Sequence, residues 1–122
     1  MGEPYILHPL RLMFRFQSET EMIVAVLHDV VEDHPAWDLA RLRQEGFSEE
    51  IVQAIDCVTR REDETYEAFV ERTAGNSIAL RVKLADLEDN MDIKRLNTLT
   101  ANDQDRIARY HRAWLRLSAA KT

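Results

Sequence analysis

From Met22 to Val31 the chain reads Met-Ile-Val-Ala-Val-Leu-His-Asp-Val-Val, apolar except for His28 and Asp29, and Glu32-Asp33 follow at once. A helix that is hydrophobic all round belongs in the interior of a domain. This segment is therefore read as a buried helix running to about Asp33, since Pro35 disfavours helix at His34. Carboxylates entering such a setting ionised are costly unless something positive neutralises them. A divalent metal does so economically, because adjacent His and Asp side chains are natural ligands for one.

At 122 residues the chain is read as one domain, long enough for a core without staples. Only three Gly and three Pro occur, and the apolar spacing is helical nearly throughout, so the expected fold class is all-α. Residues 2–8 read as extended, followed by a short helix over about 9–16. Ser18 and Glu21 have the spacing of a capping box. A short helix over 38–45 stops at Gly46, a C′ residue. Ser48 opens a helix with Ile51, Val52, Ile55 and Val58 on one face, and Thr65 opens another that ends at Gly75. Asn76 or Ser77 starts the next, which leads through Ile78, Leu80, Val82, Leu84 and Ala85 into Asp86. After a turn near Asn97-Thr98, a last helix places Ile107, Tyr110, Trp114 and Leu117 on its core side.

The net charge is −6, with no stripe of Lys or Arg, which argues against nucleic acid as a partner. No apolar run reaches the length of a membrane span. The single Cys57 cannot form an internal disulfide, which suits a reducing cytoplasmic setting. Cys57 itself reads as a small buried hydrophobe.

His28 and Asp29 cannot complete a coordination shell alone. His8, between Leu7 and Pro9 at the end of the extended segment, and Asp86, at the end of an apolar helix, are suited to finish it. Two imidazoles and two carboxylates suit Mn²⁺, Fe²⁺ or Zn²⁺. His28 and Glu32, like Asp29 and Asp33, are four residues apart and project toward neighbouring surfaces. Acids at a helix C-terminus oppose the macrodipole, so Glu32 and Asp33 are disfavoured there without a role. Lys83 reads either as a phosphate contact or as a snorkelling surface lysine, and Asn90 either as a binding residue or as a helix cap. His34 and His111 read as surface residues, and Arg60-Arg61 and Arg95 read as a solvated charged face, with attraction of an anion as the alternative.

Three ordered blocks carry a resemblance: Gly2-Glu3-Pro4-Tyr5-Ile6-Leu7-His8-Pro9-Leu10, Ala25-Val26-Leu27-His28-Asp29-Val30-Val31-Glu32-Asp33, and Val82-Lys83-Leu84-Ala85-Asp86 followed by Asn90-Met91. Together they resemble the HD-domain metal-dependent phosphohydrolases. The likeness is closest to the hydrolase domain of the bifunctional alarmone (ppGpp) synthetase/hydrolases and their small single-domain relatives. It implies an HD-type helical bundle over residues 1–122 and one Mn²⁺ held by His8, His28, Asp29 and Asp86. It also implies an acidic pair, Glu32 and Asp33, that orients or activates the attacking water, and a nucleotide-sugar contact from Asn90. The family reaction removes pyrophosphate from the 3′ position of guanosine tetra- or pentaphosphate.

Two departures accompany the resemblance. The helix and basic segment that precede the first block in full-length relatives would lie ahead of Met1-Gly2, where this sequence begins, so that part of the family pocket is not expected from these residues. Leu87 and Asp89 stand where the family usually has Arg or Lys and then His. Phosphohydrolysis of another nucleotide, or a non-catalytic module that binds metal or nucleotide, are the alternatives these departures open, and a homo-oligomer is compatible with either.

Overall fold

A computed structural model describes residues 4–121, which form eight α-helices and one 3₁₀ turn, with no strand among the described residues. In chain order the helices are α1 (Leu7–Met13), α2 (Glu19–Leu27), α3 (Val30–Asp33), α4 (Leu39–Gln44), α5 (Glu49–Cys57), α6 (Tyr66–Ala74), α7 (Ser77–Asn90) and α8 (Ala101–Ala120). The 3₁₀ turn, Ile93–Arg95, links α7 to α8. Gly2 and Glu3 of the first sequence block lie outside the described residues.

Side-chain caps start most of these helices, each satisfying a backbone N–H that has no partner within its helix. Ser48 accepts from the N–H of Ile51, Thr65 from Ala68 and Asn76 from Ala79, as their spacing suggests. Ser18 caps α2 through the N–H of Glu21. Here the expected box is only half formed: the Glu21 carboxylate takes the Ser18 hydroxyl and Arg81 rather than returning to the Ser18 backbone. A complete box forms instead at Thr100 and Asp103, where α8 begins.

At the other end of α4, Gly46 has φ +96°, a conformation that costs glycine little. Its N–H bonds to the carbonyl of Arg43 and that of Phe47 to Leu42, the pair of bonds that defines a Schellman stop.

The helix surrounded by protein is α7, whose buried residues Ala79, Leu80, Val82, Leu84, Ala85, Asp86 and Leu87 point in all directions. It touches α1, α2, α5, α6 and α8. One cluster, including Leu12, Val24, Leu42, Val52, Ile55 and Val82, fills one of its sides. A second, with Val70, Leu80, Leu84, Leu87, Ala113 and Leu117, fills the other.

This corrects the expectation for the Met22–Val31 run. In α2 only Val24 and Ala25 are buried, with His28 just beyond its end, while Met22, Ile23, Val26 and Leu27 are half-exposed. Apolar composition alone does not say how many neighbours a helix acquires.

Two other boundaries differ. The helix does not run unbroken to Asp33: α2 ends at Leu27, and Asp29 adopts φ −106°, ψ −2° before α3 resumes. That conformation lies in the sparsely used bridge region where many active-site residues sit. His8, expected on an extended segment, lies in the first turn of α1. Pro9 follows without breaking the helix, because a first-turn N–H has no intrahelical acceptor to lose. No helix among the described residues is long and apolar enough to cross a membrane.

If α7 is the hub, its fully buried Leu87 should be expensive to truncate. Leu87→Ala should lower the unfolding free energy in urea by about 2–5 kcal/mol, and a loss under about 1 kcal/mol would contradict that packing.

Candidate metal centre

Three elements converge at one end of the bundle. The first turn of α1 carries His8, the break between α2 and α3 carries His28 and Asp29, and the last turns of α7 carry Asp86. Their ordering follows from the packing of α1 on both α2 and α7. His28 and Asp86 are nearly inaccessible, at 3% and 5% exposure, whereas Asp29 is half-exposed at the mouth of a cleft of about 460 Å³.

The two imidazoles are oriented alike. His28 Nδ1 lies 2.6 Å from the carbonyl oxygen of Ala25, which can only accept, so Nδ1 carries the hydrogen. His8 Nδ1 lies 2.6 Å from Asp89 Oδ2, again an acceptor. Both Nε2 atoms are thereby turned toward Asp86 Oδ1, that of His8 at 2.9 Å and that of His28 at 3.3 Å.

His28 Nε2 is also 3.1 Å from Asp29 Oδ2, yet neither of its carboxylate contacts has hydrogen-bond geometry, and this buried atom is left unsatisfied. One ligand atom from each of His8, His28 and Asp29 falls within 4.8 Å of the others. A buried imidazole nitrogen without a hydrogen-bond partner, facing carboxylates, suits a cation. Three of the four sequence-derived residues thus form a group whose donor set fits a divalent metal, and Asp86 adjoins it through its contacts with both imidazoles.

The electrostatics describe the same site in its protonated form. Burial pushes the His28 imidazole down, but the carboxylates of Asp29 and Asp86 outweigh it and hold the group up at about 10. Burial likewise opposes His8, and its contacts with Asp86 and Asp89 raise it. For Asp86, burial acts upward, while the Lys83 ammonium and the two imidazoles hold it well below the usual carboxylate range. Asp29 is also lowered against its burial, chiefly by His28 and by the Tyr5 hydroxyl, which donates to Oδ2 at 2.6 Å. The neighbouring carboxylates thus favour the charged form of both imidazoles, a balance that a metal ion would take over on binding.

Lys83 and Asn90 belong to the same cluster. Lys83 Nζ donates to Asp86 Oδ2 at 2.8 Å, with its side chain 14% exposed. It is therefore not a snorkelling surface lysine. Asn90 is the last residue of α7 and donates to Asp86 Oδ1 at 3.2 Å. Both line the cleft.

Glu32 and Asp33 do not line it. They sit on α3, about one turn beyond Asp29. The Glu32 carboxylate accepts the backbone N–H of Arg60 at 2.9 Å. Burial raises its proton affinity and the Arg60 N–H opposes this, but the Asp29 charge adds to the rise. Asp33 is exposed, and its charge is felt at Tyr5 and Glu32.

Sequence reasoning missed four participants: Tyr5, Arg11, Asp89 and Arg95. Arg11 grips Asp89 with two bonds of 2.8 and 2.9 Å. Arg95, read as a solvated residue, donates to the Asp89 backbone carbonyl at 2.6 Å. Their spacing held a signal, since Asp86 and Asp89 are three apart on one helix, as are His8 and Arg11.

Lys83 is the cation closest to the buried Asp86 carboxylate. Lys83→Met should therefore cost the metal-free protein on the order of 3 kcal/mol in a urea titration with chelator present. An unchanged midpoint would mean that the imidazoles alone neutralise Asp86.

Among known proteins, the chain is 32% identical over 123 aligned residues to a guanosine-3′,5′-bis(diphosphate) 3′-pyrophosphohydrolase of Borreliella burgdorferi. That alignment covers 88% of this chain and 18% of the relative. It is 31% identical over 122 residues to the bifunctional (p)ppGpp synthase/hydrolase SpoT of Escherichia coli K12, covering 88% and 17%. A pyrophosphohydrolase of the same description from Aquifex aeolicus is 28% identical over 102 residues, 74% of this chain and 14% of that protein. The chain thus spans less than a fifth of the length of these relatives. No family model matches it.

Proposed function

From the premise that this chain is related, over most of its own length, to the ppGpp 3′-pyrophosphohydrolases, we propose that it is a metal-dependent phosphohydrolase domain of the HD type. Its substrate is a nucleotide, with ppGpp first among them and pyrophosphate released from the 3′ position. The observation that carries this reading is the shared aim of the His8 and His28 Nε2 atoms toward Asp86, with His28 Nε2 buried and unsatisfied. His8, His28, Asp29 and Asp86 would hold the ion, which we take to be Mn²⁺. When bound, it would lower the pKa of water and offset phosphate charge.

The protein's own groups supply the rest. Glu32 or Asp33, one turn beyond Asp29 and outside the cleft's lining, would accept a proton from the attacking water. The raised proton affinity of Glu32 makes it the better suited of the two. The Arg60 N–H fixes one oxygen of this carboxylate. Asp33 stands beside it as the second acid of the pair. An ammonium has three donors, so Lys83 can keep its bond to Asp86 and still offer a hydrogen to a phosphate oxygen. Asn90, at the end of α7, meets the sugar. A nucleotide substrate and a lone, half-buried Cys57 both accord with a reducing cytoplasm.

Turnover decides between this and a domain that only binds. With Mn²⁺ present, the purified chain should release pyrophosphate from ppGpp, and Asp29→Ala should abolish both release and metal uptake. Glu32→Gln should keep the metal and slow the reaction by about 10²–10⁴-fold. Because the base form of Glu32 disappears as pH falls through its raised pKa, the wild-type rate should decline on the acid side, and Glu32→Gln should lose that limb. Release from another nucleotide but not ppGpp would redirect the specificity. Metal uptake with no turnover of any nucleotide would make this a binding module.

A further inference from the structure

Asp89 occupies a place that neither the resemblance nor the reaction explains, and it makes more contacts than an incidental surface acid would. Its side chain is 10% exposed on the last turn of α7. Oδ2 lies 2.6 Å from His8 Nδ1 on α1. Arg11 binds it in a two-pronged grip, Nε to Oδ1 and Nη2 to Oδ2. Arg95 reaches its backbone carbonyl at 2.6 Å and places Nη1 3.6 Å from Oδ1. The carboxylate is thus held in place by one guanidinium in front and another from the turn that follows α7.

We propose that Asp89 is the positioning residue of the metal centre: it holds His8 with the hydrogen on Nδ1 and Nε2 aimed at the ion. The proposal rests on the metal-binding reading above. In the metal-free protein both His8 ring nitrogens face carboxylates, Nδ1 at 2.6 Å from Asp89 and Nε2 at 2.9 Å from Asp86. A cation on Asp86 would replace the Nε2 hydrogen, and Asp89, which only accepts, would keep the other hydrogen on Nδ1. Hydrogen bonding to a carboxylate also makes the imidazole a stronger ligand, and losing such a partner typically weakens metal binding 10–100-fold.

His28 receives the same service from the Ala25 carbonyl on its own helix. His8 stands in the first turn of α1, where the Tyr5 carbonyl three residues back takes the His8 backbone N–H, and the anchor for its ring comes from α7, 81 residues away. A side chain with a single acceptor at position 89 could not take the two-pronged bond from Arg11. Asp89 therefore ties the orientation of one ligand to the docking of α1 on α7.

Two measurements on the full chain test this. In the Zn²⁺-loaded wild type, ¹⁵N NMR should show His8 protonated at Nδ1 and metal-bound at Nε2. In calorimetry with Mn²⁺ alone, Asp89→Asn should weaken binding about 10–100-fold. Its amide oxygen still accepts from Nδ1, so the nitrogen pattern should persist. Asp89→Ala should lose the affinity and let the ring bind through either nitrogen, a change that loosened packing alone would not produce. Circular dichroism and hydrodynamic size monitor the fold.

The proposal is overturned if wild-type His8 binds through Nδ1, or if both variants bind Mn²⁺ within about twofold of wild type. Failure of the wild type to bind Mn²⁺ or Zn²⁺ at all would remove the metal-centre reading itself. Normal binding indifferent to residue 89 would remove only the role given to Asp89.

Discussion

A carboxylate at the centre of a helical bundle is tolerable only if positive charge or strong donors surround it, and the end of this bundle is organised around that requirement at Asp86. Its two oxygens divide the work. Oδ2 is paired with the Lys83 ammonium, one turn earlier on α7, and Oδ1 faces His8, His28 and Asn90. Every helix that contributes to the cluster is packed on α7 or belongs to it. Docking of α1 and α2 on that helix therefore brings the imidazoles to the carboxylate, and an error in either docking would leave Asp86 short of a partner. Stability and site geometry share one origin.

The break between α2 and α3 is the other local device. Had α2 continued regularly through Asp33, His28 and Asp29 would point in directions 100° apart on one cylinder. The non-helical turn at Asp29 lets its Oδ2 approach His28 Nε2 while its oxygen still receives the Tyr5 hydroxyl from the N-terminal segment. Around this inner group lies an outer layer of Asp89, Arg11, Arg95 and the Ala25 carbonyl, which fixes rings rather than meeting a ligand. The result is a cleft lined by His8, Asp29 and Asp86, with His28 buried behind them.

Much of this was legible in the residues, though unevenly. The helical class, the caps at Ser48, Thr65 and Asn76, and the stop at Gly46 follow local rules that tertiary structure had no reason to override. That positions 8, 28, 29 and 86 lie at one end of the bundle was suggested by polar groups standing at the ends of apolar segments and by the order of the resembling blocks. The identity of the central helix was not: the run in α2 is more apolar than α7, but α7 mixes Arg81, Lys83 and Glu88 with the residues that meet five neighbours. For the same reason the sequence left Lys83 open between two readings, since a lysine's burial depends on whether a carboxylate waits for it. Arg11, Asp89 and Arg95 belong to contacts between distant segments, which spacing along one helix only hints at.

The most direct test of the account is to crystallise the protein with Mn²⁺ and collect data near the manganese absorption edge. One anomalous peak should lie within coordination distance of His8 Nε2, His28 Nε2, Asp29 and Asp86, with both Nδ1 atoms retaining their bonds to Asp89 and Ala25. A peak bound elsewhere, or a fully ordered cluster in which Lys83 and the protonated rings keep manganese out at saturating concentration, would contradict it.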